Sequence, residues 1–222
     1  MMEQYKYQPV GMLERKKQER ANATREKILL TAMNVIRKQG YAATRIDDVC
    51  AEAGITKGAF FHHFPSKEAM AVACADHFGD FADQIFASAP YQKIDDPVQK
   101  LLGYIAFRKQ ILVGEVSDYT CLLGTLVQEI HMSHPALRDA CMKNMWAHAG
   151  TVEEIAAAAI RSSGLTHLEA KSIAFHTQAV LQGAFILAKA SQDASVASSC
   201  LDHLEAYIRF LFRTDEGSPT PA

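Results

Sequence analysis

Apolar residues recur at helical spacing through most of this chain, and no segment sustains the every-second-residue alternation of a strand. The pattern predicts an all-α fold of roughly nine helices. From Thr24 a stripe of Ile28, Ala32, Val35 and Ile36 runs to Arg37, Lys38 and a Gly40 C-cap, predicting a first helix. Thr44 with Asp47 forms a cap signature for a short helix over about 45–53, whose Ile46, Val49, Cys50 and Ala53 share a face before Gly54 offers a turn. Thr56 then caps a helix to His63, with Ile55, Phe60 and Phe64 inward and Lys57, Gly58, Phe61 and His62 outward. Pro65 stops it. Ser66 caps a long helix through Met70, Cys74, Phe78, Phe81 and Ile85 to about Ser88. Beyond it, Asp96 and Pro97, Asp118, Pro135, a Thr166–Glu169 capping box and Asp193 start helices predicted over about 97–116, 118–133, 135–163, 167–191 and 194–213, with Gly164 ending the third of these.

The spacing divides the chain into a flexible basic extension (1–23), a helix-turn-helix head (24–70), a helical-bundle body (71–213) joined to it by the long helix, and a disordered tail (214–222). With 222 residues and 49% hydrophobic content the chain can bury a sizeable core. The net charge of −2 hides an asymmetry: residues 1–75 hold 12 Lys and Arg against 8 Asp and Glu, and residues 76–222 hold 11 against 17. The basic end is the end with the turn between short helices, as expected of a head that meets phosphates. Arg15, Lys16, Lys17 and Arg20 suit either an arm reaching DNA or a solvated tail. Five scattered cysteines, an odd number without metal spacing or a signal peptide, predict a reducing, cytoplasmic setting without structural disulfides. No apolar run approaches the length of a membrane span.

The outward face of the 56–63 helix suits a major groove, and Lys67 in the first turn after Ser66 places a cation beside free backbone N–H groups, where a phosphate could bind. The stretch AGITKGAFFHHFPSKEAM resembles the helix-turn-helix signature of the tetracycline-repressor (TetR) family of one-component transcription regulators. Gly54, Gly58, Phe64, Lys67 and Glu68 fall where that pattern has them. The family usually has a tyrosine where this chain has Phe61, so a hydroxyl that could bond a phosphate is missing. The DNA-facing set is then Thr44, Arg45, Thr56, Lys57, Gly58, Phe61, His62 and Lys67, and its expected partner is double-stranded operator DNA.

The resemblance also implies an effector cavity in the body beneath the linking helix. Phe78, Phe81, Met145 and Trp146 are candidates for its apolar wall, with Tyr104, Gln128, His131 and His176 as polar handles. It further implies a homodimer in which the last two helices of each subunit form a four-helix bundle, with Leu181, Phe185, Leu201, Leu204, Ile208 and Leu211 at the interface. Cys121, at the start of CLLGTLVQEI, is a candidate redox-sensing thiol because a helix N-terminus favours thiolate, although Asp118 opposes it. No metal or other cofactor is expected: adjacent His62 and His63 point to different faces, and His131 with His134 lacks the glutamate pattern of a zinc protease. No set of base, nucleophile and metal points to an enzyme. The leading reading is therefore a repressor released from its operator by a small molecule.

Overall fold

The computed structural model describes residues 10–212, which form ten α-helices, a 3₁₀ turn and no strand. Helices α1 (Val10–Gln39), α2 (Ile46–Ala53) and α3 (Lys57–His63) make the head, and α4 (Lys67–Ala87) leaves it for the body. After a 3₁₀ turn at Pro90–Lys93 the body continues with α5 (Pro97–Gln110), α6 (Val116–Tyr119), α7 (Leu122–Ile130), α8 (Pro135–Ser163), α9 (Ala170–Ser191) and α10 (Ala194–Leu211). No helix of the described residues is long and apolar enough to cross a membrane.

Most boundaries follow from local chemistry. The hydroxyls of Thr56 and Ser66 and the carboxylate of Asp96 each accept the N–H three residues on, so α3, α4 and α5 begin where their caps predict. Asp193 caps α10, and Gly164 ends α8 in the left-handed conformation that glycine adopts without strain.

Four boundaries differ. Helix α1 begins at Val10, not Thr24, so residues 10–23 of the expected flexible extension are helical, while residues 1–9 and the 214–222 tail lie outside the described residues. Residues 14–20 are exposed, which explains their lack of apolar period; they are strong helix formers that extend cheaply from the packed segment behind them. Thr24 lies inside the helix, where its hydroxyl donates to the Arg20 carbonyl at 2.9 Å. Helix α5 stops at Gln110, and Asp118 starts no helix: its carboxylate accepts the Glu115 N–H at 2.9 Å and closes a capping box on the one-turn α6. Gly114 makes this bend, with φ of 91°. Helix α9 starts at Ala170 because Leu165 and Leu168 pack into the body core and hold the preceding residues in a turn, so the Thr166–Glu169 box does not form. α2 is capped by Asp48, which accepts the Arg45 N–H, and not by Thr44.

The apolar interior falls into two main clusters. One joins Ile28, Ile36, Val49 and Phe60 of the head to Leu122, Leu126 and Ile130 of α7 and Cys141 of α8. The head therefore shares its core with the body. The other fills the bundle of α5, α8, α9 and α10 around Leu101, Tyr104, Leu181 and Leu204.

Candidate functional site

Gly54, at φ of 62°, turns the chain from α2 to α3, and the Ile55 N–H closes on the Cys50 carbonyl at 3.0 Å. Buried Phe60 and Phe64 then fix the roll of α3, leaving Lys57, Gly58, Phe61 and His62 exposed as their spacing predicts. Asp47 of α2 sits between two cations, with Lys57 Nζ at 2.8 Å and Arg45 Nη2 at 3.6 Å. Its hydrogen bond with Lys57 holds the carboxyl below its ordinary pKa. The exposed pair adds little stability, yet it parks two cations beside the outward face of α3.

Two residues of the expected DNA-facing set are placed otherwise. Thr44 is only 1% exposed, and its hydroxyl donates to the Gly40 carbonyl at 2.6 Å, so it locks the turn and does not face outward. Lys67 turns back onto the same turn: Nζ lies 4.2 Å from the Tyr41 ring centroid and 3.3 Å from the Ala42 carbonyl oxygen. In the free protein it braces the junction and is not held out for a phosphate.

In the body a cavity of about 300 Å³ lies among α1, α4, the α5–α7 connection, α8 and α9. Phe78 and Met145 line it, and Phe81, 52% exposed, lies on its wall beside exposed Asp83. Arg37, Arg108, His148, Gln178 and Gln182 supply its polar wall. Sequence reasoning missed these five; for Arg37 the only local signal was a cation in the last turn of α1, which reads as a dipole partner. Arg37 reaches in from the head's own helix, donating to the Asp118 carbonyl with its guanidinium 5.8 Å from the Phe78 ring. Burial lowers its pKa. His148 Nε2 is 2.9 Å from the Tyr104 hydroxyl, and burial, with the charge of Arg108 adding to it, pushes its pKa down to about 3, so the ring is neutral.

The other expected cavity residues are elsewhere. Tyr104 stands behind His148, fully buried and off the wall. Gln128 is exposed and folds back on the Gly124 carbonyl, and His131 is exposed after α7. Trp146, 53% exposed, stacks edge-on against Phe175 outside the cavity, while His176 packs on Tyr207 on the outer face of α9 and α10. For Gln128, Trp146 and His176, helical phase from the residues that do line the wall turns the side chain away from it.

The residues expected at the interface pack within the subunit. Leu181, Phe185, Leu201, Leu204 and Ile208 are buried within the subunit, Phe185 on the cavity wall, and Leu211 is half-buried. The uncovered apolar stripe of these helices is instead Ile186, Leu187, Tyr207 and Phe210.

Cys121 caps α7, its sulfur accepting the Gly124 N–H at 3.5 Å, and it lines the cavity. Cys74 and Cys141 are buried in apolar surroundings that push their thiols up to about 12, which makes them unreactive.

Two family models match the chain. One, described as bacterial regulatory proteins of the tetR family, matches residues 28–74; the other, the C-terminal domain of LmrA/YxaF-like transcriptional regulators, matches residues 97–202. The HTH-type transcriptional regulator LmrA of Bacillus subtilis is 28% identical over 192 residues, 82% of this chain and 96% of that protein. The HTH-type transcriptional repressor DhaR of a Mycobacterium species is 27% identical over 106 residues, 48% of this chain and 52% of its own. A crystal structure of a TetR transcriptional regulator from Chloroflexus aurantiacus superposes with a TM-score of 0.77 at 23% identity, covering 86% of this chain and 96% of that one, and so shows the same fold.

Proposed function

The chain belongs to the TetR family of DNA-binding transcription regulators, and from that premise we propose that it is a homodimeric repressor released from its operator when a small molecule enters the body cavity. The observation that carries this reading is the cavity wall itself: Phe78 belongs to α4, which leaves the head, and Arg37 to α1, the head's first helix. A ligand touching both acts directly on the two elements that set the head's angle.

DNA is read by α3 and its flanks. Lys57, Phe61 and His62 lie over the groove, Thr56 holds the helix start, and Arg45 meets the backbone. At Gly58 an added Cβ would meet only Thr56 Oγ1, at 3.7 Å, so packing within the protein leaves room for one; close approach of DNA accounts for a bare backbone there. The head over 24–70 and the body over 71–213 divide reading from sensing. Two heads are paired through the outer face of α9 and α10, where Ile186, Leu187, Tyr207 and Phe210 supply an apolar stripe, and the twofold gives each head a half-site.

The test begins by selecting bound fragments from genomic DNA to define the operator. Compounds that raise the melting temperature of the free protein are then added to the protein–operator complex. By linkage, an effector that weakens operator binding binds the free protein tighter than the complex by the same factor, with couplings of about 1–3 kcal/mol. Stabilising compounds that leave operator affinity untouched would sink the release mechanism.

A second reading is favoured by one observation: Cys121 sits at a helix start on the wall of the cavity that Arg37 also lines. A thiol there responds to oxidants if peroxide weakens operator binding in the wild type and not in Cys121→Ser.

A further inference from the structure

Five buried side-chain polar atoms among the described residues make no hydrogen bond of ordinary geometry within the protein: Arg37 Nε, Tyr119 Oη, Thr120 Oγ1, His148 Nδ1 and Gln178 Nε2, the last having only a loose contact with Tyr104. All five belong to residues that line the cavity. Unsatisfied buried polar atoms are costly, so native interiors hold few. Their gathering on one wall marks groups arranged for something other than one another.

The chemistry of the set leans one way. Arg37 Nε and Gln178 Nε2 can only donate, and the two hydroxyls can donate. When the Tyr104 hydroxyl donates to His148 Nε2, Nδ1 of the neutral ring carries its proton and donates as well. The complement of such a wall is rich in acceptors.

Charge narrows it further. Arg37 has no carboxylate within ion-pair distance among the described residues, and neither has Arg108, whose guanidinium stacks over Phe86 at 5.1 Å and Phe185 at 5.6 Å. The acids on the wall form no ion pair with them: Asp83 is exposed, and Asp118, whose charge favours the Arg37 cation, is itself exposed and held by the Glu115 N–H. A part-buried guanidinium with a free Nε–H matches a carboxylate, the planar acceptor-only anion it can bind through two parallel bonds. Around these cations the wall is aromatic, with Phe78, Phe86 and Phe185.

We propose that the cavity takes a small organic monoanion with an aromatic or similarly flat apolar body, whose carboxylate is received by Arg37 and whose body lies against Phe78, Phe86 and Phe185. This rests on the reading of the cavity as the effector site and names the effector's class. It also makes the head's own helix part of the ligand site. An anion on Arg37 competes with the Asp118 carbonyl for the guanidinium and so acts on the end of α1, three residues before the Gly40 turn.

The experiment titrates the full-length protein calorimetrically with matched pairs, 2-naphthoate against 2-naphthamide and 4-phenylbutyrate against 4-phenylbutanamide. Each acid is expected to bind wild type about tenfold or more tightly than its amide, as befits a charge-assisted pair. In Arg37→Gln that preference should vanish while the amide's affinity stays, and in Arg37→Lys, which keeps a charge without the planar fork, it should shrink but persist. If Arg37→Gln does not fold, the wild-type and Arg37→Lys comparisons still decide. Equal binding of acids and amides to wild type, a preference unchanged in Arg37→Gln, or no binding by either acid overturns the assignment. Operator release by a neutral compound that binds the cavity, with the acids inert, would overturn the anion class and leave the release reading standing. Acids that bind through Arg37 without altering operator affinity would do the reverse.

Discussion

Glu129 of α7 holds the backbone of Tyr41: its Oε1 accepts the Tyr41 N–H at 3.0 Å, and its Oε2 takes the next N–H, that of Ala42, at 2.8 Å. A carboxylate of the body thus closes the turn between the first two helices of the head. Lys67 and His134 pack on the same Tyr41 ring from α4 and from the start of α8. Gly40 completes the fit, because a Cβ there would stand 2.5 Å from Glu129 Oε1.

Removing this clasp should loosen the head more than the body. Glu129→Ala leaves two N–H groups without an ionised acceptor, a loss of about 2 kcal/mol after discounting for the exposure of the carboxylate. Hydrogen exchange should accelerate at residues 40–46 while α9 and α10 keep their protection, and Glu129→Gln should lie between. Unchanged exchange at the turn would show that the contact does not hold it.

On the DNA face the variants should separate by role. Lys57→Ala is expected to cost about 1–3 kcal/mol on the operator and much less on random DNA, as for a side chain at a base edge. Arg45→Ala should weaken both alike and lower the salt slope by about one. Lys67→Ala, in contrast, should cost about 0.5–1 kcal/mol of stability through its lost contact with Tyr41 and leave the slope nearly intact. Footprint and affinity unchanged for Lys57→Ala and Arg45→Ala would remove this face from the interface.

Exposure decides which apolar residues can pair subunits. Phe210 is 69% exposed, so Phe210→Glu should leave each subunit folded and dissociate the dimer, because a charge buried without a partner costs several kcal/mol. Leu204 is 2% exposed within its own subunit, and Leu204→Glu should unfold the body instead. Sedimentation with circular dichroism distinguishes the two. A Phe210→Glu protein that remains a dimer would move the interface elsewhere.

His148 makes stability depend on pH in a defined direction. Its folded pKa, about 3, lies below the ordinary value of 6.5, so the unfolded chain takes up a proton that the folded one refuses. The contribution is full above pH 6.5 and declines as pH falls toward 3, amounting to about 2 kcal/mol lost by pH 5. Denaturation midpoints at pH 7.5 and 5 should therefore diverge more for wild type than for His148→Gln. Equal pH dependence in the two would place the titration in other groups.

What depends on residues a few positions apart can be read from the chain before it folds. The caps Thr56, Ser66, Asp96 and Asp193, the turns at Gly54 and Gly164, and the exposure of Lys57, Phe61 and His62 all arise within one helical turn, so the all-α class and the head motif were legible before any packing was known. Which way shared or ambiguous side chains go depends on packing between distant segments. Helix α10 carries one apolar stripe through Leu204 and Ile208 and another through Tyr207 and Phe210, and composition cannot say which faces its own subunit. Residues 14–23 looked flexible because they have no apolar period, yet they continue a helix nucleated by the segment that follows. Arg37 read as the basic end of a helix until α4 and the α6 turn closed around it; a guanidinium becomes a ligand-binding group only when distant segments take water away from it.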